Sequence, residues 1–510
     1  MSFLDNLKEE TTVGSTENGA KTYTSTLNAN LDFFAQAGAM RGRLEDVRNM
    51  FAKAYDENPE LALRNLVHLR NIRLGGLGER SAYLEAIKYL VDGRNQNKQV
   101  IVTLMEYMAY VGRWTDLFET MEYAHKRSIH FVDTEGARII GNQLTSDIKN
   151  MSEGKPVSLL GKWLANVSSP NSKKRNQGAR IANYLGFEGK AGLTRYRKMI
   201  AKLRDYLNVI EVRLASKEYH KIDLNQVSSK ALFKYRKALQ LHMPDEYEDL
   251  LSKVESGEVK MNAKNMLPHE VIRAYGSRSY YRTLDRSLEA TWKSMDDVLK
   301  DIEDNAIVVA DTSGSMTWGG TENVTPWEVA EGLAIYTAER LSGAFKGHFI
   351  VFSEQPRLVN LPLSGTLMDK MKAYDKCSYN ARNTNLQKVF DLILSTAVKN
   401  HTPQNELPSK IVIISDMEFD QGVAGYTNYE QAKLKFEQAG YELPSVVFWN
   451  VNSRHDNTPV RFDEKGTALV SGFSTNILTQ VLGGEITSPE EMMLSVLNKP
   501  EYDFVKEALK

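Results

Sequence analysis

Cysteine is almost absent from this sequence, since its 510 residues include only Cys377. A single thiol excludes an internal disulfide and any zinc site built from several cysteines. The nine histidines show no HxxxH-like pairing, so a histidine zinc site is not predicted either. We therefore expect a reducing compartment, the cytoplasm, which would be the host cytoplasm if the gene is viral.

Long uncharged apolar runs are also missing. No stretch reaches the roughly 18 to 20 residues that a membrane-spanning helix needs. The start, MSFLDNLKEETTVG, has neither the basic nor the apolar segment of a secretion signal. We therefore expect no membrane partner, and the 42% hydrophobic and 25% charged content is typical of a globular protein.

The formal net charge of −1 conceals three segments of different sign. Residues 1–150 hold 18 Lys and Arg against 20 Asp and Glu, residues 151–300 hold 28 against 17, and residues 301–510 hold 18 against 28. Clustered basic side chains attract phosphates and release counterions on binding. The middle segment therefore favours a phosphate-bearing partner; the alternative is that it docks against the acidic segment of the same chain.

Two patterns divide the chain near residue 300, which predicts a multidomain protein. Over residues 1–300 apolar residues recur at helical spacing, as in SAYLEAIKYLV (81–91), and short breakers separate the helices. This pattern predicts antiparallel helix pairs stacked as an irregular solenoid. The longest helical pattern covers residues 190–219.

Over residues 301–510 short β-rich runs alternate with amphipathic helices. The predicted strands are AIVVA (306–310), HFIVF (348–352), KIVIIS (410–415), SVVFWNV (445–451) and, at an edge, ALVSGF (468–473). Strands separated by helices imply right-handed crossovers and a parallel sheet covered on both faces. The prediction is a doubly wound α/β domain whose binding site lies at the carboxyl ends of its strands.

The stretch IVVADTSGSM (307–316) sets a strand against an acidic, hydroxyl-rich turn. A nucleophile elbow needs GxSxG, but Asp311 stands two positions before Ser313 and no histidine follows in a suitable loop. An aspartic-protease loop needs Asp, Ser or Thr, and Gly in succession, but Ser313 separates Thr312 from Gly314. A helix-capping turn and a metal-binding turn remain.

Three features at predicted strand ends favour the metal. Asp311, Ser313 and Ser315 follow the first strand, Thr384 precedes a helix, and Asp416 follows KIVIIS. Two carboxylates and three hydroxyls form an all-oxygen set suited to a divalent cation, Mg²⁺ first, with Mn²⁺ and Ca²⁺ as alternatives.

DTSGS with Thr384 and Asp416 resembles the metal-ion-dependent adhesion site of von Willebrand factor A domains, over residues 300–485. The resemblance implies a Rossmann-like domain at 301–510. It also implies that Ser313, Ser315 and Thr384 supply hydroxyls while Asp311 and Asp416 contribute carboxylates, partly through water. In that family an acidic group from a partner completes the ion.

The helical part carries a second resemblance. TENGAKTYTSTLNANLDFFAQAGAMRG (16–42), NIRLGGLGER (71–80), YVGRWTDLF (110–118), SLLGKWLANVSS (158–169) and YRKMIAKLR (196–204) look like a family of uncharacterised viral, plant and fungal proteins. That family is similar to the Ro autoantigens, in which a TROVE module, a ring of HEAT-like helical repeats, is closed by a von Willebrand A domain. The resemblance implies binding of structured or misfolded RNA by a basic surface.

Residues 151–240 hold 19 Lys and Arg against 6 Asp and Glu. The candidate RNA contacts within them are Lys173, Lys174, Arg175, Arg180, Arg195, Arg197 and Lys198. A solvated loop is the alternative for Lys173, Lys174 and Arg175. Tyr196 either stacks on a base or packs in its helix, and Trp114 and Trp163 are expected in the core.

The leading hypothesis is therefore an RNA-binding protein of Ro-like architecture, without enzymatic activity, that carries a divalent-cation site. A protein–protein adhesion scaffold that binds an acidic partner through the ion is the first alternative. A metal-dependent hydrolase is disfavoured because neither a general base nor a second metal position is evident.

Overall fold

The computed structural model describes residue 3, residue 7 and residues 10–276, 282–319, 324–352, 354–378 and 383–510. Its contacts form two compact units. The sheet unit comprises Met1–Glu85 and Ala263–Asp503, and the helical unit comprises Ala86–Asn262 and Phe504–Lys510. Residues 1–85 thus belong to the same compact unit as the α/β region, while the division into 1–300 and 301–510 stays a prediction about the linear sequence.

A six-stranded sheet and a small hairpin occupy the sheet unit. The hairpin pairs β1 (Val13–Ser15) with antiparallel β2 (Lys21–Tyr23). The strands of the large sheet are β3 (Ala306–Asp311), β4 (His348–Phe352), β5 (Arg357–Asn360), β6 (Lys410–Ser415), β7 (Ser445–Asn450) and β8 (Thr467–Ser471).

The strand order is β5-β4-β3-β6-β7-β8. All neighbours pair in parallel except β5, which runs antiparallel to β4. The prediction of a wholly parallel sheet is therefore wrong at this edge. The connection from β4 to β5 is short, and a short connection reverses the chain, whereas a parallel pairing needs a long crossover.

Helices surround this sheet within the same unit. Their bounds are α1 (Ala29–Gln36), α2 (Leu44–Glu57), α3 (Pro59–Arg70), α14 (Pro268–Tyr275), α15 (Arg286–Lys293), α16 (Pro326–Arg340), α17 (Leu367–Ser378), α18 (Leu386–Asn400), α19 (Asn428–Gln438), α20 (Asn476–Val481) and α21 (Pro489–Leu497). Every residue of β3 and β6 is buried, as expected for central strands covered on both faces.

Local sequence explains where the helix nearest the candidate site begins. In α16, Thr325 caps the first turn, Glu328 returns the hydrogen bond, and Pro326 stands where no amide donor is needed. The helix ends at Arg340.

The remaining helices belong to the helical unit, apart from α4, which spans the division at Glu85. Their bounds are α4 (Ser81–Asp92), α5 (Lys98–Val111), α6 (Trp114–His125), α7 (His130–Ser152), α8 (Leu160–Trp163), α9 (Ser172–Tyr184), α10 (Gly189–Tyr206), α11 (Ile210–Ser216), α12 (Ser229–His242), α13 (Pro244–Glu255) and α22 (Val505–Ala508). Within the described ranges, no helix combines the length and apolar content that crossing a bilayer would need.

The helical pattern at 190–219 is two helices and not one. Asn208, between α10 and α11, adopts a positive φ of 46°, which ends a right-handed helix and which Asn tolerates better than most residues. The longest described helix is instead α7, with 23 residues.

Candidate metal centre and basic helical surface

Asp311 ends β3 at the carboxyl edge of the sheet and is fully buried. Its Oδ1 accepts a hydrogen bond from the Ser313 amide at 2.8 Å, and its Oδ2 accepts one from the Ser415 hydroxyl at 2.6 Å. Ser415 stands opposite Asp311 because β3 and β6 pair in register up to Ala310 and Ile414. The strand pairing therefore fixes the orientation of this carboxylate.

The two serines of the turn lie together. The Ser313 and Ser315 hydroxyls are 3.0 Å apart, in a single turn of 3₁₀-helix over Gly314–Thr317. Thr312 anchors the start of the turn, since its amide and hydroxyl both donate to the Phe352 carbonyl at the end of β4. The turn therefore presents both hydroxyls at the edge where Asp311 ends.

Asp416 is the second buried carboxylate at this edge, one residue beyond β6. Its Oδ1 accepts a hydrogen bond from the Glu418 amide at 3.2 Å. Its Oδ2 accepts no hydrogen bond from the described residues, although the Arg454 guanidinium lies 3.3 Å away. The Ser315 hydroxyl is close enough to lower the pKa of Asp416.

Burial is the largest influence on the pKa values of Asp311 and Asp416. It raises the pKa of Asp311, and the negative charge of Asp416 raises it further. Burial also raises the pKa of Asp416, against the opposing charge of Arg454. Two carboxylates sharing a site in low dielectric repel each other, so the ionised pair is stabilised by a cation.

Thr384 is buried in the loop before α18. Its carbonyl accepts a hydrogen bond from the Asp420 amide at 2.9 Å, so its backbone lies beside the loop that carries Asp416. The carboxyl edge of the sheet therefore carries Asp311, Ser313, Ser315 and Asp416. A backbone hydrogen bond links Thr384 to the loop that follows Asp416.

Sequence reasoning missed four residues at or near Asp416, namely Glu17, Glu418, Arg454 and His455. Arg454 Nη2 contacts the Glu17 carboxylate at 2.7 Å as well as Asp416. Ligand atoms of Glu17, Glu418 and His455 lie within 4.8 Å of one another, although buried Glu418 already accepts hydrogen bonds from the Glu17 amide and from Asn457. Glu17 and Arg454 come from distant parts of the chain, so no local motif around Asp416 indicates them, whereas Glu418 stands only two residues after Asp416.

The donors at this edge fit a divalent cation of the Mg²⁺ type. They are carboxylate and hydroxyl oxygens, and one of them, Asp416 Oδ2, is buried without a hydrogen bond from the described residues. Arg454 is the feature that opposes cation binding, because its positive charge already lies against that oxygen.

The candidate RNA contacts of α10 differ in environment from Arg180 of α9. Arg195, Arg197 and Lys198 are exposed on α10 and form no ion pair or hydrogen bond with the described residues. Arg180 lies half-buried and donates to Glu122 at 2.6 Å. The α10 residues are therefore available to an external phosphate.

Lys173, Lys174 and Arg175 occupy the first turn of α9, so the predicted loop is helical. Asn171 caps this turn by accepting from the Lys174 amide, and the Arg175 guanidinium donates to the Ser169 carbonyl. Lys173 is exposed, and among the described residues it has no ionic partner.

The structure also places three aromatic residues and the single cysteine that the sequence singled out. Tyr196 is fully buried, with its ring 5.7 Å from that of Phe187, so base stacking is excluded and helix packing is confirmed. Trp114 is buried as predicted, but Trp163 is 37% exposed beneath the Lys162 ammonium group, so its prediction as a core residue is wrong. Cys377 lies in α17.

Comparison with known proteins identifies the chain by family. The family described as "Domain of unknown function (DUF2828)" matches residues 16–102 and 113–306, and "Domain of unknown function (DUF7788)" matches residues 305–508. "Uncharacterized protein L728" of Acanthamoeba polyphaga mimivirus is 30% identical over 518 residues, which cover 94% of this chain and 86% of the relative. The chain therefore belongs to the DUF2828 family.

Proposed function

We propose that this protein binds RNA through the basic helices of its helical unit and holds a divalent cation, Mg²⁺ first, at the carboxyl edge of its sheet. The architecture proposed is Ro-like, with a TROVE-type helical region and a von Willebrand A-type domain, and the protein acts in the cytoplasm by binding rather than by catalysis. One observation carries the proposal: two buried carboxylates, Asp311 and Asp416, stand at the carboxyl ends of the paired strands β3 and β6, beside two serine hydroxyls that are 3.0 Å apart.

Each residue of the centre has a task in this proposal. Asp311 and Asp416 would hold the cation by charge, while Ser313, Ser315 and Thr384 would offer hydroxyl oxygens. When bound, the cation supplies positive charge to an acidic partner. Ser415 is a positioning residue, because its hydroxyl orients Asp311.

Thermal unfolding in Mg²⁺ and in EDTA tests the cation site. A ligand at ten times its Kd stabilises the folded state by about 1.4 kcal/mol, so wild type should unfold at a higher temperature in Mg²⁺. Asp311→Asn should lose this increment and yet be as stable as wild type, or more stable, in EDTA, because it removes one of two repelling charges. Asp301→Asn, at an exposed carboxylate, should behave as wild type.

The RNA half of the proposal is supported by the exposed, ionically unpaired cations of α10. Fluorescence anisotropy with a small structured RNA should show binding that weakens steeply with salt, as counterion release requires. Absence of binding at low salt would leave the adhesion-scaffold alternative, in which the cation engages an acidic protein. That alternative predicts capture of an acidic peptide in Mg²⁺ but not in EDTA.

A further inference from the structure

An open cleft of about 960 Å³ lies in the helical unit between α6 and α9. Six of its lining residues have titratable side chains: Glu122, His125, Lys126, Lys173, Arg180 and Tyr184. Most of its other lining residues are asparagine or serine, and the one aliphatic residue is Ala179. A cleft of this size and polarity suits a nucleotide-sized polar ligand rather than an apolar one.

A hydrogen-bonded network on three helices orients the imidazole at the cleft wall. Asp133 of α7 is fully buried, and its Oδ2 accepts from His125 Nδ1 at 3.1 Å and from the Tyr184 hydroxyl at 3.2 Å. With Nδ1 engaged, His125 Nε2 has no partner among the described residues. An imidazole held by a buried carboxylate is a common way of presenting one ring nitrogen to a ligand.

The cations of the cleft exceed its exposed anions. Arg180 Nη2 donates to Glu122 at 2.6 Å, and Lys126 lies 3.6 Å from the other oxygen of Glu122. Burial alone would raise the pKa of Glu122, but the hydrogen bond and charge of Arg180 lower it. The Glu122 carboxylate therefore pairs with two cations, Arg180 and Lys126. Lys173 has no ionic partner among the described residues.

Arg180 also has an N–H group without a hydrogen-bond acceptor. Its Nε is buried and has no hydrogen-bond partner among the described residues. Burying a donor without a partner costs free energy, and a ligand oxygen in the cleft would remove that cost. A guanidinium recognises phosphate through adjacent N–H groups, so a phosphate that draws the Arg180 side chain into the cleft would give Nε an acceptor.

We propose that this cleft binds the phosphate monoester of a nucleotide, free or at the end of an RNA strand. Arg180 and Lys173 contact the phosphate, His125 Nε2 binds a ligand oxygen, and the side-chain amides face the sugar and base edges. In its strand-end form the inference rests on the proposed RNA binding and adds preference for a terminal phosphate.

The test compares two identical single-stranded RNAs, labelled at the 3′ end, that carry either a 5′-phosphate or a 5′-hydroxyl. We expect the full chain to bind the phosphorylated strand about tenfold more tightly, the effect of one or two added charge-assisted hydrogen bonds. AMP should compete with it and adenosine should not. Equal affinities for the two strands in wild type would overturn the strand-end assignment.

Two variants and one matched control locate the effect. Lys173→Gln, at an exposed position, and Arg180→Gln should each reduce the preference for the 5′-phosphate. Lys198→Gln removes the same charge from α10 and should weaken both strands equally. Retention of the full preference in both cleft variants would contradict the proposal, and circular dichroism checks that each variant is folded.

Direct titration separates this inference from the proposed function. If no RNA binds, calorimetric binding of AMP that is lost in Lys173→Gln still supports the cleft, while the RNA proposal fails. If AMP does not bind, the cleft proposal fails whatever the RNA result. Inorganic phosphate competing as well as AMP would overturn the assignment to a nucleotide.

Discussion

At the scale of single residues, the electrostatics of Asp416 depend on which cation lies beside it. Its Oδ2 contacts Arg454 at 3.3 Å, and Arg454 in turn contacts Glu17 at 2.7 Å. A divalent ion proposed for this edge must bind next to that guanidinium. Arg454 is therefore expected to weaken ion binding while it compensates the buried charge in the ion's absence.

Arg454→Gln should consequently raise the affinity for Mg²⁺ or Mn²⁺ by about tenfold, because close charge repulsion of the order of 1 kcal/mol or more is removed. Calorimetric titration measures this change. The matched control is Arg357→Gln, at an exposed position on edge strand β5, which should leave the affinity unchanged. A lower affinity in Arg454→Gln would instead mean that Arg454 supports the site.

His68 predicts how stability depends on pH. It is buried, its Nδ1 lies 3.0 Å from the Tyr502 hydroxyl, and burial lowers its pKa to about 3. Since the pKa of unfolded histidine is about 6.5, the unfolded chain binds the extra proton between pH 6.5 and 3. Stability should therefore fall as the pH drops through this window, by about 1.4 kcal/mol per pH unit from this residue.

His68→Gln should remove that part of the acid sensitivity. Denaturant unfolding at pH 7 and pH 5 should show a smaller loss of stability in the variant than in wild type. An equal loss in both proteins would show that other groups account for the acid sensitivity.

At the scale of elements, the N-terminal helices complete the sheet unit. The Ser471 hydroxyl at the end of β8 donates to the Phe34 carbonyl of α1 and accepts from the Gly38 amide. A Cβ added at Gly38 would lie 2.7 Å from the Ser471 carbonyl oxygen. Backbone approaches backbone here because position 38 has no side chain.

Gly38→Ala should therefore destabilise the sheet unit by about 1 to 3 kcal/mol, the usual effect of forcing extra volume into a packed site. Gly484→Ala is the control, because an added Cβ there meets nothing within 4 Å. Denaturant midpoints of the two variants measure the difference. Equal midpoints would mean that the segment around Gly38 does not pack tightly on β8.

The sequence predicted elements well where periodicity was strong. The five predicted strands match β3, β4, β6, β7 and β8 within two residues at either end, because continuous apolar runs bounded by turns carry a clear signal. It missed β5, where RLVN is short and mostly exposed, and the hairpin β1–β2. Short edge elements are stabilised by pairing with the rest of the fold, which sequence alone does not show.

At the scale of the whole molecule, we propose that the helical unit binds the RNA and the sheet unit binds the cation. A triple variant should bind RNA more weakly than wild type if it combines Arg195→Gln, Arg197→Gln and Lys198→Gln. If all three residues contact phosphates of a single strand, the slope of log K against log salt should fall by about 2. The control combines Lys300→Gln, Lys372→Gln and Lys399→Gln, at exposed positions of the sheet unit, and should change neither quantity. The same slope in both triple variants would contradict the assignment to α10.

The candidate site was predictable only in part for a related reason. Parallel pairing brings the carboxyl ends of β3 and β6 to one edge, and strand prediction was sufficient to group the residues at or just after these ends, which are Asp311, Ser313, Ser315 and Asp416. Glu17 reaches Arg454 from the other end of the chain, and residues 1–85 belong to the sheet unit. No periodicity in the first 85 residues indicates this long-range packing.

The central claim is that the sheet edge binds one divalent cation through Asp311 and Asp416. The most direct test is Mn²⁺ titration of the full chain, monitored by the electron paramagnetic resonance signal of free Mn²⁺. We predict one bound ion per chain in wild type, none at this site in Asp311→Asn or Asp416→Asn, and displacement by Mg²⁺. Absence of a bound ion in wild type, or equal binding in these variants, would contradict the account.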